Sequence, residues 1–178
     1  MRVFIGIPVP QEIKNKIDES KSKLDQVIIK GKWSTIDNLH LTLVFIGDIN
    51  EDRIGLLSDI LDKSLTDLPA FELSFGELGS FAKGNQFIVW LGIHHDHHAL
   101  FHISRILKTE FKKTHFPYDN KPLKPHVTLV RQASIDTLQT LPRLNINLTW
   151  KVDQIHLYQS HQVEGRLTYT SLHHVKLK

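Results

Sequence analysis

Apolar positions along the chain follow two periods, which predict that strands and helices alternate. Helical spacing begins after Pro10, after Asn50 and at Ala99, whereas the other apolar runs are short and strand-like. The predicted helices run from Pro10 through Leu24, from Asn50, as a capping residue, to about Leu68, and from Ala99 to Phe111. The predicted strands are Arg2–Val9, His40–Ile46, Phe71–Phe75, Gln86–Ile93 and His126–Arg131, then strands around Asn147–Lys151, Gln154–Tyr158 and Arg166–Leu177.

Several of the predicted strands follow one another across short turns without a helix between them. The pair Gly84-Asn85, which precedes the strand Gln86–Ile93, is one such turn signal. Strands joined in this way pair antiparallel, so the sequence predicts an α+β fold and not a doubly wound parallel sheet. A length of 178 residues suits one domain, or two small lobes that share a core.

One short pattern, His-x-Thr-Leu-Val, occurs in two of these strands, about half the chain apart. It begins at His40 in one strand and at His126 in the other. Side chains alternate along a strand, so each histidine shares a face with the threonine two residues later, Thr42 or Thr128. One copy alone could be a half-buried strand whose histidine forms a local hydrogen bond. Two copies indicate related lobes that each contribute one strand to a shared cleft.

The residue types in this pattern suit displacement at phosphorus. The nucleophile and the leaving group lie on opposite sides of the phosphorus atom, so a base is needed on one side and an acid on the other. Histidine can serve as either near neutral pH, and threonine hydroxyls can donate to the non-bridging oxygens. Arg131 has the opposite parity to His126 in a regular strand, so it reaches the same cleft only through a bulge or through its own length.

Composition narrows the function only slightly. The net charge of +3 permits an anionic substrate, but the basic residues are not clustered densely enough for a duplex nucleic-acid surface. Cysteine is absent, which excludes disulfides, thiolate metal sites and a cysteine nucleophile. No apolar run is long enough to span a membrane, and the opening stretch is too short for a signal peptide. Together these features favour the cytoplasm.

The chain resembles the RNA 2′,3′-cyclic phosphodiesterases of the 2H phosphoesterase superfamily, which are also called 2′-5′ RNA ligases. The resemblance rests on two His-x-Thr-x motifs, His40–Leu43 and His126–Leu129, and covers nearly the whole chain. Small departures from the family pattern, at Ile46, Val130 and His161, fall outside the motif residues. The other similar segments are Met1–Ile7, Trp33–Gly47, Lys124–Arg131, Leu157–Ser160, Gly165 and Tyr169.

The resemblance implies a fold and a reaction. The fold would be a single bilobal domain, residues 1–178, with two pseudo-symmetric lobes. Each lobe would be an antiparallel sheet with helices packed outside, and the active-site cleft would lie between them. The reaction would open a 2′,3′-cyclic phosphate at an RNA 3′ end and leave a 2′-phosphate.

The resemblance also implies roles for individual residues and partners. His40 would be the proton donor to the leaving 3′-oxygen, and His126 would accept the proton from water. Thr42, Thr128 and Arg131 would hold the phosphate, and neither a metal ion nor another cofactor would be required. The expected partners are RNA with 2′,3′-cyclic phosphate ends or small cyclic nucleotides, with no membrane, and the protein is expected to be a monomer.

A histidine-rich tract is a second candidate site. It comprises His94–His98 and is followed by His102. His94, His98 and His102 would form a row on a helix, but the helix is predicted to start only near His97, which takes His94 off that row. We interpret the tract as a solvated loop and helix start that can bind nickel or zinc adventitiously.

Other residues near the motifs have two interpretations each. Lys121 and Lys124 flank the second motif and either steer an RNA strand or are ordinary solvated lysines. Trp33, Phe116 and Tyr118 either stack on a base or pack in the core and its loops.

Several functions therefore remain open on sequence grounds. Within the enzyme class, the substrate could instead be a small nucleotide-derived cyclic phosphate, and the reaction could also run in reverse as 2′-5′ RNA ligation. The alternatives from other classes are a non-catalytic binder of RNA ends and a metal-dependent hydrolase centred on the histidine tract.

Overall fold

The computed structural model describes residues 1–94, 98–136 and 140–178, in which strands and helices alternate along the chain. The helices are α1 Gln11–Glu19, α2 Lys21–Leu24, α3 Ile54–Leu65 and α4 His98–Lys113, with 3₁₀ turns at Ile36–Asn38 and Glu51–Arg53. The strands are β1 Arg2–Pro8, β2 Ile28–Trp33, β3 His40–Asp48, β4 Phe71–Leu73, β5 Phe75–Lys83, β6 Gln86–Ile93, β7 His126–Ile135, β8 Trp150–Val152, β9 Gln154–Val163 and β10 Arg166–Lys176.

Within the described residues, eight of these strands form one antiparallel sheet in the order β10-β9-β1-β3-β7-β6-β5, with β2 also paired to β7. The strands β4 and β8 form a separate two-stranded sheet. The predicted α+β fold with antiparallel pairing is confirmed. The sheet has two halves, β10-β9-β1-β3 and β7-β6-β5 with β2, which meet where Leu41 of β3 pairs with Val127 of β7.

The core lies behind the two motif strands. Leu41 and Val127 are fully buried, because the apolar residues between the motif polar residues point away from the cleft. The helices α3 and α4 pack against each other, α3 also against β10 and α4 also against β3. Ile13 and Ile17 of α1 and Leu24 of α2 belong to the same core cluster. No helix in the described part of the chain has the length and apolar character needed to span a membrane.

Several sequence-based boundaries need correction, and three strands run further than predicted, β5 to Lys83, β7 to Ile135 and β9 to Val163. The helix after Pro10 is interrupted at Ser20. The second helix ends at Leu65, and a 3₁₀ turn precedes it. The residue before that turn, Asn50, makes no side-chain capping bond. The predicted strand Phe71–Phe75 is divided at Ser74 between β4 and β5. The predicted strand around Asn147–Lys151 is only Trp150–Val152.

The strand β2 was not predicted. Its sequence, IIKGKW, mixes apolar, basic and glycine residues and shows no regular alternation. Gly31 is required by packing against β7, since a Cβ atom there would lie 2.4 Å from a methyl carbon of Val130. Only the partner strand reveals this reason for a glycine, so the strand has no clear signal in the sequence.

Candidate active site

The four polar residues of the two motifs lie on one face of the sheet, where its halves meet. The central residues of the motifs, Leu41 and Val127, are the ones that pair across β3 and β7. In an antiparallel pair, directly opposed residues share a face, so the arrangement has a local twofold symmetry. The opposed pairs are His40 with Thr128 and Thr42 with His126, all four half-buried.

Both motif strands carry a β-bulge at the same position. The register of β3 with β1 skips Leu43, and the register of β7 with β6 skips Leu129. The extra residue explains why the leucine and the valine that follow each threonine are both buried. Two serines satisfy the carbonyl groups there. The Ser104 hydroxyl donates to the Leu43 carbonyl at 3.4 Å. The Ser34 hydroxyl donates to the Thr128 carbonyl at 2.9 Å, and the Ser34 main-chain amide donates to the Leu129 carbonyl at 2.8 Å.

The bulges also turn one further residue of each strand toward the site. These residues are Phe45 in β3 and Arg131 in β7, which occupy equivalent positions after the two motifs. The Phe45 ring stacks on Phe4 with a centroid distance of 6.1 Å. Arg131 lines a cavity that also contains His40 and Thr128. The sequence-based expectation that Arg131 reaches the cleft only through a bulge or its own length therefore has its structural basis in the bulge at Leu129.

His40 is held by its backbone and enclosed by aromatic rings. Its Nδ1 donates to the carbonyl oxygen of Asn38 at 2.6 Å, which leaves Nε2 as the nitrogen that faces the site. Thr42 donates to Nε2 at 3.1 Å when the imidazole is neutral. The rings of Phe4 and Tyr169 lie 4.7 and 4.8 Å from the imidazole, centroid to centroid.

Asn38 links this histidine to the far edge of the sheet. Its side-chain amide donates to the Leu167 carbonyl at 2.6 Å, and its side-chain oxygen accepts from the Tyr169 amide at 3.2 Å. Because the Asn38 main chain also accepts the Nδ1 hydrogen of His40, β10 fixes the orientation of that imidazole.

His126 has the same backbone bond but different neighbours. Its Nδ1 donates to the carbonyl oxygen of Lys124 at 2.5 Å, again two residues earlier in the chain. The rings of Phe81 and Trp90 lie 5.2 and 6.0 Å away, centroid to centroid. The Lys124 ammonium lies over the Phe81 ring at 5.4 Å from its centroid.

The surroundings lower the pKa of both imidazoles. For His40, burial lowers the pKa to about 4, against the opposing effect of the Asn38 carbonyl, and the positive charge of Arg131 lowers it further. For His126, burial is again the largest cause of a lowered pKa, followed by the opposing Lys124 carbonyl and then by the charges of Arg131 and Lys124. Both side chains are therefore neutral at pH 7 in the absence of an anion.

A cavity opens on each side of the crossed motifs. The cavity beside His40 has a volume of about 410 Å³ and is lined by Thr128, Trp33 and Tyr169 as well as cationic side chains. The cavity beside His126 has a volume of about 380 Å³ and is lined by Thr42, Phe45 and Phe81. The cations are Lys32, Lys83, Arg131 and Arg166 in the first cavity, and Lys108, Lys121 and Lys124 in the second.

Several residues near the motifs were not predicted from sequence as part of the site. Asn38, Phe4, Trp90 and Tyr169 each contact a motif histidine, Asn38 through a hydrogen bond and the others through their rings. Tyr169 appeared in the sequence analysis only as a position similar to the family. Each lies on another strand or before the motif. The bond at Nδ1 has no sequence signal, because its acceptor is the main-chain carbonyl two positions before each histidine, and every residue has such a carbonyl.

The secondary candidates are placed differently. Lys121, Lys124 and Trp33 line the two cavities, and Tyr118 lines an outer groove beside α4. Phe116 is buried and packs on Phe111 with a centroid distance of 5.8 Å, so it belongs to the core and does not stack on a base.

The histidine tract lies partly outside the described residues, which exclude positions 95–97. His98 is the first residue of α4, and His102 is on its exposed side, where Nδ1 lies 3.4 Å from an Arg105 nitrogen. His94 is exposed after β6. Among residues 1–94, 98–136 and 140–178, no three His, Asp or Glu side chains are placed to hold a metal ion together.

Comparison with known proteins identifies relatives along most of the chain. The family described as the 2′-5′ RNA ligase superfamily matches residues 9–164. The chain is 29% identical to the RNA 2′,3′-cyclic phosphodiesterase of Escherichia coli over 171 residues, which cover 96% of this chain and 93% of that protein. It is 30% identical to the RNA 2′,3′-cyclic phosphodiesterase of Thermotoga maritima over 132 residues, with 74% and 70% covered.

Solved structures show the same fold. The crystal structure of E. coli LigT without ligand matches with a TM-score of 0.85 at 29% identity, covering 99% of this chain and 96% of that one. The crystal structure of E. coli LigT complexed with 3′-AMP matches with a TM-score of 0.82 at 28% identity and the same coverage.

Proposed function

Because the chain belongs to the 2′-5′ RNA ligase superfamily, we propose that it hydrolyses the 2′,3′-cyclic phosphate at an RNA 3′ end to a 2′-phosphate. His40 would protonate the leaving 3′-oxygen, and His126 would take the proton from the attacking water. Thr42, Thr128 and Arg131 would bind the phosphate, and no step would require a metal ion.

The observation that carries this proposal is the crossing of the two motifs at Leu41 and Val127. It places the two histidines diagonally on one face, each beside its own cavity, so a phosphorus atom between them has one imidazole on either side. In-line displacement needs an acid and a base in these two positions. The hydrogen bonds at Nδ1 leave Nε2 of each ring available for proton transfer.

The lowered pKa values suit the base role of His126 in the free enzyme, and they suit the acid role of His40 only after substrate binds. A neutral His126 is ready to accept a proton from water at pH 7. His40 is neutral too and must first gain a proton, which the negative charge of a bound phosphodiester favours. The hydrogen bond from Thr42 to His40 would then be exchanged for one to a phosphate oxygen.

The cavity beside His40 suits the nucleotide that carries the cyclic phosphate. Its four cations face no acidic side chain among the described residues that line it, and Trp33 and Tyr169 supply aromatic surface. A complex of E. coli LigT with 3′-AMP supports a nucleotide ligand for this chain as well.

The test is to incubate the protein, in excess chelator, with an RNA that ends in a 2′,3′-cyclic phosphate and to identify the product by mass spectrometry and phosphorus NMR. The expected product is the 2′-phosphate. A matched reaction contains the His40→Ala/His126→Ala double variant, with circular dichroism to verify folding. The same assay is repeated with small 2′,3′-cyclic nucleotides, to compare substrate classes by kcat/KM.

Each alternative function gives a different result. Tight binding of the RNA end without any product would identify a non-catalytic binder. Activity that appears only when a divalent metal is added, and disappears in His94→Ala/His98→Ala, would move the site to the histidine tract. A 3′-phosphate product would contradict the assignment of the leaving oxygen.

A further inference from the structure

Asn38 joins the segment before the first motif to β10. Its side-chain amide donates to the Leu167 carbonyl at 2.6 Å, and its side-chain oxygen accepts from the Tyr169 amide at 3.2 Å. Leu167 and Tyr169 are two residues apart on β10. One planar side chain therefore pairs with a main-chain acceptor and a main-chain donor, as a residue of a neighbouring strand would, and this pairing fixes Asn38 relative to β10.

The main chain of Asn38 is held at the same time. Asn38 is the last residue of the 3₁₀ turn Ile36–Asn38, and its amide donates to the Thr35 carbonyl at 3.0 Å. Its own carbonyl oxygen accepts the Nδ1 hydrogen of His40 at 2.6 Å. Because that carbonyl is fixed, it restricts both the tautomer and the rotation of the imidazole, and Nε2 keeps one direction toward the site.

Tyr169 contacts the same imidazole by a second route. Its ring meets the His40 ring edge to face, with centroids 4.8 Å apart and an interplanar angle of 84°. The main chain of Tyr169 thus bonds to Asn38 while its ring packs against His40. Loss of the Asn38 side chain would remove the link between β10 and the turn before His40, and would loosen both restraints on the imidazole.

The equivalent residue of the second motif is used differently. There the carbonyl that accepts from His126 belongs to Lys124. The Lys124 side chain extends over the Phe81 ring and lines the cavity beside His126. An ammonium group donates hydrogen bonds but cannot accept them, so it cannot pair with a strand as an amide does. The side chain two residues before the histidine therefore anchors His40 in one half of the site and lines a cavity in the other.

We propose that Asn38 is a positioning residue for the proton donor, and that it acts on the reaction only through His40. The inference rests on the proposed function, because that function gives His40 the role of the acid. The direction of Nε2 matters most when the leaving oxygen takes its proton, since a misplacement of about 1 Å can lower a rate by about 10²-fold. Asn38 should therefore affect kcat more than KM.

The first experiment measures kcat of Asn38→Ala on a cyclic-phosphate RNA and on the same RNA with sulfur in place of the 3′-oxygen. A thiolate leaves without protonation, so a defect in the acid should be much smaller on the sulfur substrate. On the oxygen substrate, kcat should fall by roughly 10–10²-fold. The ratio of the two rates, relative to the unmodified enzyme, does not depend on the folded fraction and stays valid if the variant is less stable.

Three further variants separate the hydrogen bonds of Asn38 from the volume and the position of its side chain. Asn38→Leu has a similar volume without the hydrogen-bonding groups, and should behave as Asn38→Ala does. Lys124→Ala removes the side chain at the equivalent position of the second motif, and any loss should be the same on both substrates. Asn15→Ala, at an exposed position of α1, should change neither rate.

A second experiment tests whether Asn38 acts through His40. In the His40→Ala background, Asn38→Ala should cause no further loss of kcat, because the residue through which it acts is gone. Nitrogen-15 NMR of the His40 imidazole gives a reading without substrate. The neutral ring of the intact protein should carry its hydrogen on Nδ1, and Asn38→Ala should show a mixture of the two tautomers.

Four results would overturn the inference and leave the proposed function standing. These are an equal loss of kcat by Asn38→Ala on both substrates, the same loss in the His40→Ala background, an unchanged tautomer, and sulfur rescue of Lys124→Ala that equals that of Asn38→Ala. A higher KM with unchanged kcat would assign Asn38, which lines the same cavity, to substrate binding and would overturn it too.

Failure of the proposed function gives a different result. His40→Ala would then not recover on the sulfur substrate, which would contradict the role of His40 as the acid. The NMR measurement would still decide whether Asn38 holds the imidazole, because it requires no reaction.

Discussion

The two halves of the site, around His40 and around His126, have the same backbone geometry but are lined by different side chains. Each motif histidine donates to the carbonyl two residues earlier, and each motif leucine forms a bulge. At equivalent positions after the bulges, one strand has Phe45 and the other Arg131. Because the strands run antiparallel, Arg131 lies in the cavity of His40 and Phe45 in the cavity of His126.

This difference shows how a nearly symmetric pair of motifs can acquire distinct roles. His40 lies among Phe4, Tyr158 and Tyr169, and its pKa is lowered to about 4. His126 lies beside Phe81 and Trp90 and faces a cavity with both apolar and basic walls. In the proposed mechanism, the motif supplies an acid and a base, and the neighbouring strands would decide which histidine meets the nucleotide and which meets the attacking water.

The largest effect is expected from removing either histidine. His40→Ala and His126→Ala should each lower kcat on cyclic-phosphate RNA by on the order of 10²–10⁴, because general acid and base catalysis contribute that much. The glutamine variants fill more of the space and check that loss of packing is not the cause. Near-normal turnover by a folded variant of either residue would rule out the two-histidine mechanism.

A substrate with sulfur in place of the 3′-oxygen should distinguish the kcat loss of His40→Ala from that of His126→Ala. A thiolate leaves without protonation, so His40→Ala should regain much of its lost rate on the 3′-thio substrate. His126→Ala should not recover, because its defect is in activating water. The measurement compares both variants on both substrates at one pH, with the unmodified enzyme as reference. Recovery of His126→Ala instead would reverse the assignment of acid and base.

The free energy of unfolding should depend on pH more through His40 than through His126. The folded pKa of His40 is about 4 and its ordinary value is 6.5, so between these pH values the unfolded chain binds a proton that the folded chain does not. Stability is therefore fully present above pH 6.5 and falls as the pH is lowered, by about 3 kcal/mol at pH 4.

Urea unfolding at several pH values provides the measurement for this stability effect. The difference in unfolding free energy between pH 7 and pH 4 should shrink in His40→Gln, and should shrink less in His126→Gln. Equal behaviour of the two variants would show that their surroundings do not differ as the structure indicates.

Substitutions of Arg131 and Phe45, the residues after the two bulges, should have smaller effects that differ in kind. Arg131→Ala should lower kcat/KM by roughly 10–10²-fold, since a charged hydrogen bond contributes about 1.5–3 kcal/mol. Phe45→Ala, at the equivalent position, should lower the free energy of unfolding, because the Phe45 ring packs on Phe4. Its kcat/KM should fall less than that of Arg131→Ala. Arg131→Lys retains the charge and is the control for it. Comparable kcat/KM losses in the two alanine variants would contradict the division between the cavities.

The smallest effect concerns the pH profile of hydrolysis. The profile of kcat/KM reports the free enzyme and that of kcat reports the bound complex. A bound phosphate anion should raise the pKa of His40, so the alkaline limb of kcat should lie roughly one pH unit or more above that of kcat/KM. Steady-state rate measurements from pH 4 to 9 would give both profiles and the difference between their alkaline limbs. Because the two histidines titrate as a coupled pair, coincident alkaline limbs would mean that the bound phosphate does not raise the pKa of that pair.

The sequence by itself determined the class of fold and the chemical groups of the candidate site. Alternation of side chains was enough to place His40 with Thr42 and His126 with Thr128, because that geometry is local to each strand. The pairing of Leu41 with Val127, which joins the two faces, depends on residues half a chain apart, and only the tertiary structure decided it.

The tertiary structure also decided where the arginine lies and how the two histidines differ. The direction of Arg131 follows from the bulge at Leu129, which exists only in the register with β6. The strand β2 and the contacts of Asn38 with β10 had no local signal, since they depend on pairing across the sheet. The lowered pKa values arise from burial beneath rings of other strands, and burial is a property of packing that a linear pattern does not contain.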